Sequence, residues 1–388
     1  MPLMIVSGAL ANKPFNGGEA WVRLSWILGF RKLGCDVYFI EQIDEGDCTD
    51  AQGRSVTAPD SIHARFFRDV VSQFGLANRA TLLTTRGERV AGMPCHPIAD
   101  LAKSAAALVN ISGHLKLPDV LDHVRRKVYI DIDPGFTQAW HEQGLLGETL
   151  LQHDVLFTIA ENIGRPGCRI PNSGLPWRVT RQPVVLEEWP VSPAATPHRF
   201  TTIARWRGAF GPIEIDGEPM GLKAHEFRKL LALPGRVPES PFEIALSIDR
   251  ADDADRQRLI EHGWMLPDPA EVASTPAAFR EYVQRSFAEF SVAQGVYVNS
   301  RSGWFSDRST RYLASGKPVL LQDTALAGHL PVGDGLLTFG GLDEAVRNVQ
   351  IIVNNYEHHS AAARALAETH FDSNLVLGRL SESVGVSL

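Results

Sequence analysis

Arg205 and Lys223 stand at the two ends of one predicted strand-to-helix connection. Arg205 closes the apolar run FTTIARW, and Lys223 opens a helical segment after the loop GAFGPIEIDGEPMG. A cation at a helix start opposes the helix dipole, yet it suits a phosphate, which binds the charge and the free backbone amides together. The stretch Gly295–Asp323, GVYVNSRSGWFSDRSTRYLASGKPVLLQD, offers the same chemistry in longer form. Its spacing predicts an apolar strand, a small-residue loop carrying Asn299, Ser300 and Arg301, a helix over Ser306–Ser315 stopped at Gly316, and a second apolar strand. Asp307, Arg308, Ser309 and Thr310 fall in the first turn of that helix, where hydroxyls and unpaired amides can reach a phosphate. The plainer alternative is that Ser306 or Asp307 is only the N-cap, with Arg308 and Arg311 on a solvated face. Taken together, the residues suit the diphosphate of a nucleotide.

The first half of the chain carries groups suited to a reacting hydroxyl. PFNGGEAW places Asn16, Gly17 and Gly18 just before a predicted helix, where paired glycines let the backbone come close to a ligand, or simply make a tight turn. NISGH and IDIDPGFT each follow an apolar strand, at the edge where parallel sheets gather ligand groups. His114, Asp131 and Asp133 are therefore candidates for proton transfer or hydroxyl binding. Their structural alternative is a turn at Asp133–Pro134–Gly135 and a helix cap at Asp131.

These residues need a scaffold of strands that end in loops, and the apolar pattern supplies one. Met4–Ser7, a Gly- and Asn-rich loop, a helix over Ala20–Leu33 and the strand VYFI, ending at Glu41, form a βα unit and a strand. Strands at Ala107–Ile111, Val128–Ile132 and Val155–Thr158 follow, and PVVLEEWP is expected as the last of that domain. Pro190, Pro193 and Pro197 hold the next segment extended, so a boundary is expected near Ser192–His198. The alternation then restarts: FTTIARW, a helix over Lys223–Ala232, FEIALSI, helices over Asp253–His262 and Phe279–Phe290, VYVNS, the Ser306–Ser315 helix, PVLLQ and helices to the end. The fold class expected is α/β, with two Rossmann-like domains of similar size facing across a cleft where ligands of such folds bind.

At 388 residues, with 44% hydrophobic and 21% charged, the chain is long enough for two cores. The net charge of −7 argues against broad nucleic-acid binding. No window approaches the roughly 20 apolar residues of a membrane span and the N-terminus has no signal-peptide pattern, so a cytoplasmic protein is expected, compatible with peripheral membrane contact. Cys35, Cys48, Cys95 and Cys168 lie far apart, read as ordinary thiols, and indicate no metal site. The first loop lacks G-x-G-x-x-G, which disfavours a dinucleotide-dependent oxidoreductase.

The arrangement resembles the GT-B superfamily of nucleotide-sugar glycosyltransferases, in particular its group-1 (family 4-like) branch. GLKAHEF is similar to that family's lysine-glycine helix start, and RYLASGKPVLLQD to its helix-glycine-proline-strand element. GDGLLTF, the LDEA helix start, the late HFD segment and the NGGEAW loop continue the likeness. The resemblance implies a metal-independent glycosyltransferase of hexosyltransferase type, with a nucleoside-diphosphate sugar as donor substrate and no other cofactor, in which residues 1–195 form the acceptor-side domain, 196–365 the nucleotide-sugar-binding domain and 366–388 a C-terminal helix packing back on the first domain. Arg205 and Lys223 would neutralise the diphosphate, with Asn299, Ser300, Arg301, Asp307, Arg308, Ser309 and Thr310 around it. Asn16, Gly17 and Gly18 would lie near the sugar, and His114, Asp131 or Asp133 near the acceptor hydroxyl. The chain departs from the pattern where many members carry two glutamates eight positions apart, because Gly303 and Arg311 stand there. A GT-B-like protein that binds a nucleotide or glycan without catalysis is the alternative.

Overall fold

The structure is a computed structural model that describes residues 1–93, 98–193 and 197–388. Eight strands form the first sheet: β1 (Leu3–Ser7), β2 (Asp36–Ile43), β3 (Ala80–Thr84), β4 (Arg89–Gly92), β5 (Ala107–Ile111), β6 (Lys127–Asp131), β7 (Val155–Thr158) and β8 (Trp177–Val179). Their order is β4-β3-β2-β1-β5-β6-β7-β8, and every pairing is parallel except β3 with β4. The central strands are buried on both faces, as parallel strands covered by crossover helices must be. Strand order reverses where β1 sits between β2 and β5. A crevice opens there beyond the strand ends.

The second domain begins with β9 (Phe200–Arg205). A two-strand hairpin, β10 (Glu214–Ile215) and β11 (Glu218–Pro219), follows, then β12 (Phe242–Ser247), β13 (Ala288–Ser291), β14 (Val319–Gln322) and β15 (Leu336–Phe339). The parallel order β12-β9-β13-β14-β15 makes the end of β9 its reversal point. Phe200, Phe242, Ile244 and Phe290 pack as the core of this sheet. The fold is α/β with two Rossmann-like domains.

Three expectations need correction. The run VYVNS is not a strand: Gly295–Asn299 is a short helix, with Ser300 N–H donating to Val296 O at 3.1 Å. The strand is Ala288–Ser291, overlapping the end of the segment Phe279–Phe290 expected as helical, and the helix there is Pro276–Gln284. A short apolar run does not distinguish strand from buried helix, and Glu289, fully buried in β13, hides that strand's apolar character. Likewise PVVLEEWP does not join the sheet. Val184 makes one bridge with Asp372 and Leu186–Glu188 is a 3₁₀ turn, while β8 closes the sheet instead. The expected boundary Ser192–His198 and Cys95 fall partly or wholly on residues outside those described; Cys35 and Cys48 are buried free thiols and Cys168 is a partly buried one.

Two helices join the ends of the chain. Gly17–Lys32 is capped by the Asn16 side chain, which accepts from Glu19 N–H at 3.1 Å, and it buries Trp21, Trp26 and Phe30. Ser373–Val384, capped by Asp372, packs on it where Gly29 has no side chain; a Cβ there would lie 2.6 Å from Leu377 Cδ1. Among the described residues no helix is long and apolar enough to cross a membrane.

Candidate active site

The two reversal points face each other across a cavity of about 860 Å³. From the second domain, Arg205 and Lys223 both line it. Arg205 is exposed at the end of β9, and Lys223 is 91% buried at the first position of the Lys223–Arg228 helix. Among the described residues neither cationic head has a hydrogen-bond or ion-pair partner. Burial, with the Arg308 guanidinium nearby, pulls the Lys223 ammonium down to about 7, against the opposing pull of Glu289 and Asp307. An amine with that balance regains its charge when an anion arrives.

The Asp307–Ala314 helix meets the cavity with its N-terminus. Ser306 caps it by accepting from Arg308 N–H at 3.2 Å, and Asp307 faces the cavity while ion-paired to Arg311 one turn on. Arg311 is 1% exposed, with its guanidinium 5.9 Å from the ring centroids of both Trp189 and Phe279. Arg308 borders the cavity, but its donors are spent inside the domain, on Glu289 at 2.6 Å, Ile203 O at 2.8 Å and Ser291 Oγ at 2.8 Å. Ser309 is buried with no partner for its hydroxyl among the described residues, and Thr310 donates to Asp307 O at 2.7 Å. Neither hydroxyl lines the cavity.

Asn299, Ser300 and Arg301 also lie elsewhere, because the strand expected to carry them is a helix. Asn299 Nδ2 donates to Met220 O at 2.9 Å. Ser300 O accepts from Arg169 N–H at 2.8 Å, and Arg301 O accepts from Asn162 Nδ2 at 2.9 Å. Arg301 itself takes φ +53°. Ser300 and Arg301 tie the second domain to the first, Asn299 bonds within the second, and none of the three borders the cavity.

From the first domain come Asn16, Gly18, His114 and Asp133. Gly17 does not: its N–H donates to Ala273 O of the second domain at 2.7 Å, and a Cβ on it would lie 2.1 Å from Thr275 O. Asp131 is fully buried below the cavity, accepting from Thr137 Oγ1 (2.7 Å), Thr158 Oγ1 (2.7 Å), Gln138 Nε2 (2.9 Å) and Asp133 N–H (3.1 Å). It shapes the loop that carries Asp133. Asp133 is partly buried at the cavity wall, and burial, then the Glu19 and Asp131 carboxylates, push it up to about 7 against Arg23 and Lys13. Burial and the cations Arg23, Lys13 and Lys116 bring His114 down to about 3, so its imidazole is neutral.

Several wall residues were not anticipated: Lys13, Glu19, Arg23, Phe210, Gln294, Tyr297 and Trp304. Glu19 directly follows the glycine pair and could have been noted for that position. Burial pushes its carboxyl up, but the ion-paired Arg23 and then Lys13 outweigh this and hold it below the usual range. Arg23 is 2% exposed and its Nε has no partner among the described residues. The loop before these residues is pinned by Glu41, whose buried carboxylate accepts from Leu10, Ala11 and Asn12 N–H at 2.7–2.9 Å. Tyr297 and Trp304 stack with ring centroids 4.3 Å apart. Their contact joins residues around the Ser300–Gly303 turn, which a linear reading does not show.

No protein-family model matches the sequence, and no curated protein does. Solved structures do match in shape. An alpha-glucosyltransferase in complex with UDP-glucose and DNA containing an abasic site superposes with a TM-score of 0.60 at 12% identity, over 99% of this chain and 98% of that one. HepE from Anabaena, in complex with UDP and glucose, gives a TM-score of 0.57 at 11% identity, over 99% and 100%. At such identity the likeness is one of fold, and this chain has the GT-B fold, in which two Rossmann-like domains face each other across a cleft.

Proposed function

We propose that the protein is a glycosyltransferase that moves a sugar from a nucleoside-diphosphate donor to an acceptor hydroxyl. The observation that carries this reading is the pair of cations, Arg205 and Lys223, without a partner among the described residues, on the cavity wall opposite Asp133 and Glu19. Transfer makes a bond from the acceptor oxygen to the anomeric carbon and breaks the bond from that carbon to the β-phosphate oxygen. The departing electron pair leaves on the diphosphate, where Arg205 and Lys223 neutralise it. The hydroxyl proton passes to a base; Asp133, poised near neutrality, takes that role, and neutral His114 contributes a hydrogen bond to a hydroxyl. Glu19, Arg23 and Lys13 fix the charge around them. The Asp307 carboxylate, held by Arg311, faces hydroxyls of the donor, since an anion there would repel phosphate.

The two cations supply the charge stabilisation, so transfer proceeds without a metal ion and survives EDTA. UDP-bound glycosyltransferases of the same fold support a nucleotide-sugar donor. One of them is bound to DNA, but a net charge of −7 supports a glycan or small-molecule acceptor here, in the cytoplasm. The test is donor hydrolysis and transfer across a nucleotide-sugar panel with EDTA present. Turnover that falls in Asp133→Asn supports the assignment; saturable binding without turnover for any donor favours a non-catalytic binder.

A further inference from the structure

We propose that the segment from Arg207 to Leu222 is a strap that closes over the bound diphosphate, and that Phe210 is the positioning residue that seats it on the acceptor domain. The inference rests on the nucleotide reading above and deepens it. Arg205 precedes the segment and Lys223 follows it, so the two cations proposed to hold the diphosphate are the posts from which the strap hangs. A ligand bridging them fixes both of its ends.

The strap belongs to the second domain by sequence, where Arg207 pairs with Asp252 and Met220 O accepts from Asn299 Nδ2, and its middle reaches across to the first. Phe210 packs on Phe136 and Trp140, with centroids 5.0 and 4.8 Å apart, and both Phe210 and Trp140 line the cavity. Arg169 Nη1 of the first domain donates to Glu218 Oε2 at 2.6 Å. Ile213, Ile215 and Met220 are buried in the cluster that runs between the domains, holding Phe136 of the first and Val296 of the second, and not in the second domain's core around Phe200 and Ile244. The contacts of Phe210 with Phe136 and Trp140, and of Glu218 with Arg169, exist only while the two halves are together.

Both ends of the segment can hinge. Gly208 (φ +94°) and Gly221 (φ +79°) sit near its two posts in a backbone region that suits glycine. Between them the β10–β11 hairpin turns through Asp216 and Gly217, φ +55° and +74°, so the middle moves as a unit. At the Gly208 hinge, Gln294 is 5% exposed, lines the cavity and has no partner for Oε1 among the described residues. That oxygen awaits a donor when the strap sits on a ligand.

The test is stopped-flow dissociation of the nucleoside diphosphate that binds best among UDP, GDP, ADP and dTDP. In Phe210→Ala it leaves roughly tenfold faster than from wild type with association little changed, and Phe210→Tyr restores slow release. Arg169→Ala, at a residue that does not line the cavity, speeds release as well, which covers the case in which Phe210→Ala fails to fold. Unchanged release from folded Phe210→Ala, or from Arg169→Ala where that variant must stand in, overturns the strap. Failure of all four diphosphates to bind the wild type overturns the nucleotide reading and the strap with it.

Discussion

Lys223 is the residue at which charge and function are most tightly linked. With no ligand its pKa is about 7, and a bound diphosphate stabilises the ammonium, so the complex holds more protons than the free protein. Affinity must then fall as pH rises above 7, by about tenfold per pH unit until the pKa of the complex is reached. Calorimetric titration from pH 6 to 9 checks this, and Lys223→Arg, which stays charged, abolishes the slope. Asp133 gives the opposite limb. A base with a pKa of about 7 is half-ionised there, so kcat rises with pH through 7 and levels above about 8, and kcat/KM, the product of the two limbs, is a bell centred near neutrality. Asp133→Asn removes the acid limb and lowers kcat by about 100-fold or more while changing diphosphate affinity little.

At the scale of elements, Asp131 shows how β6 serves the site without entering it. Its carboxylate gathers Thr137 and Gln138 of the next helix and Thr158 of β7. Asp131→Ala leaves three buried donors unmet and costs about 3 kcal/mol or more in urea unfolding, whereas Asp131→Asn, which keeps one acceptor oxygen, costs less. The sequence showed Asp131 and Asp133 at a strand end but could not divide their roles, because the division depends on which side chain the next helix reaches. The parallel strands around β1, β5, β6, β7, β9, β12 and β14 were legible, since each is a short apolar run between turn residues. The β3–β4 hairpin was not anticipated. β13 was hidden by Glu289, whose burial depends on Arg308 arriving from a helix nineteen residues later. Asn299–Arg301 were misread for the same reason: once the strand moves to Ala288–Ser291, Ser300 and Arg301 fall on the domain contact and Asn299 turns to Met220.

The whole molecule is held closed by bonds that cross between the domains. Gly17 N–H reaches Ala273 O, Trp21 Nε1 donates to Pro276 O at 2.8 Å, and Asn162 Nδ2 donates to Arg301 O and Ala325 O at 2.9 and 3.0 Å. Gly17 is glycine because the second domain's backbone lies against it. Gly17→Val forces the halves apart, and small-angle scattering then gives a larger radius of gyration, with donor KM raised more than kcat is lowered. The account turns on the facing cations. Its most direct test is calorimetric titration of UDP, GDP, ADP and dTDP into wild type, Arg205→Ala and Lys223→Ala. The account predicts that at least one diphosphate binds the wild type and loses about tenfold or more in affinity in each variant. Affinity that is the same in all three proteins contradicts it.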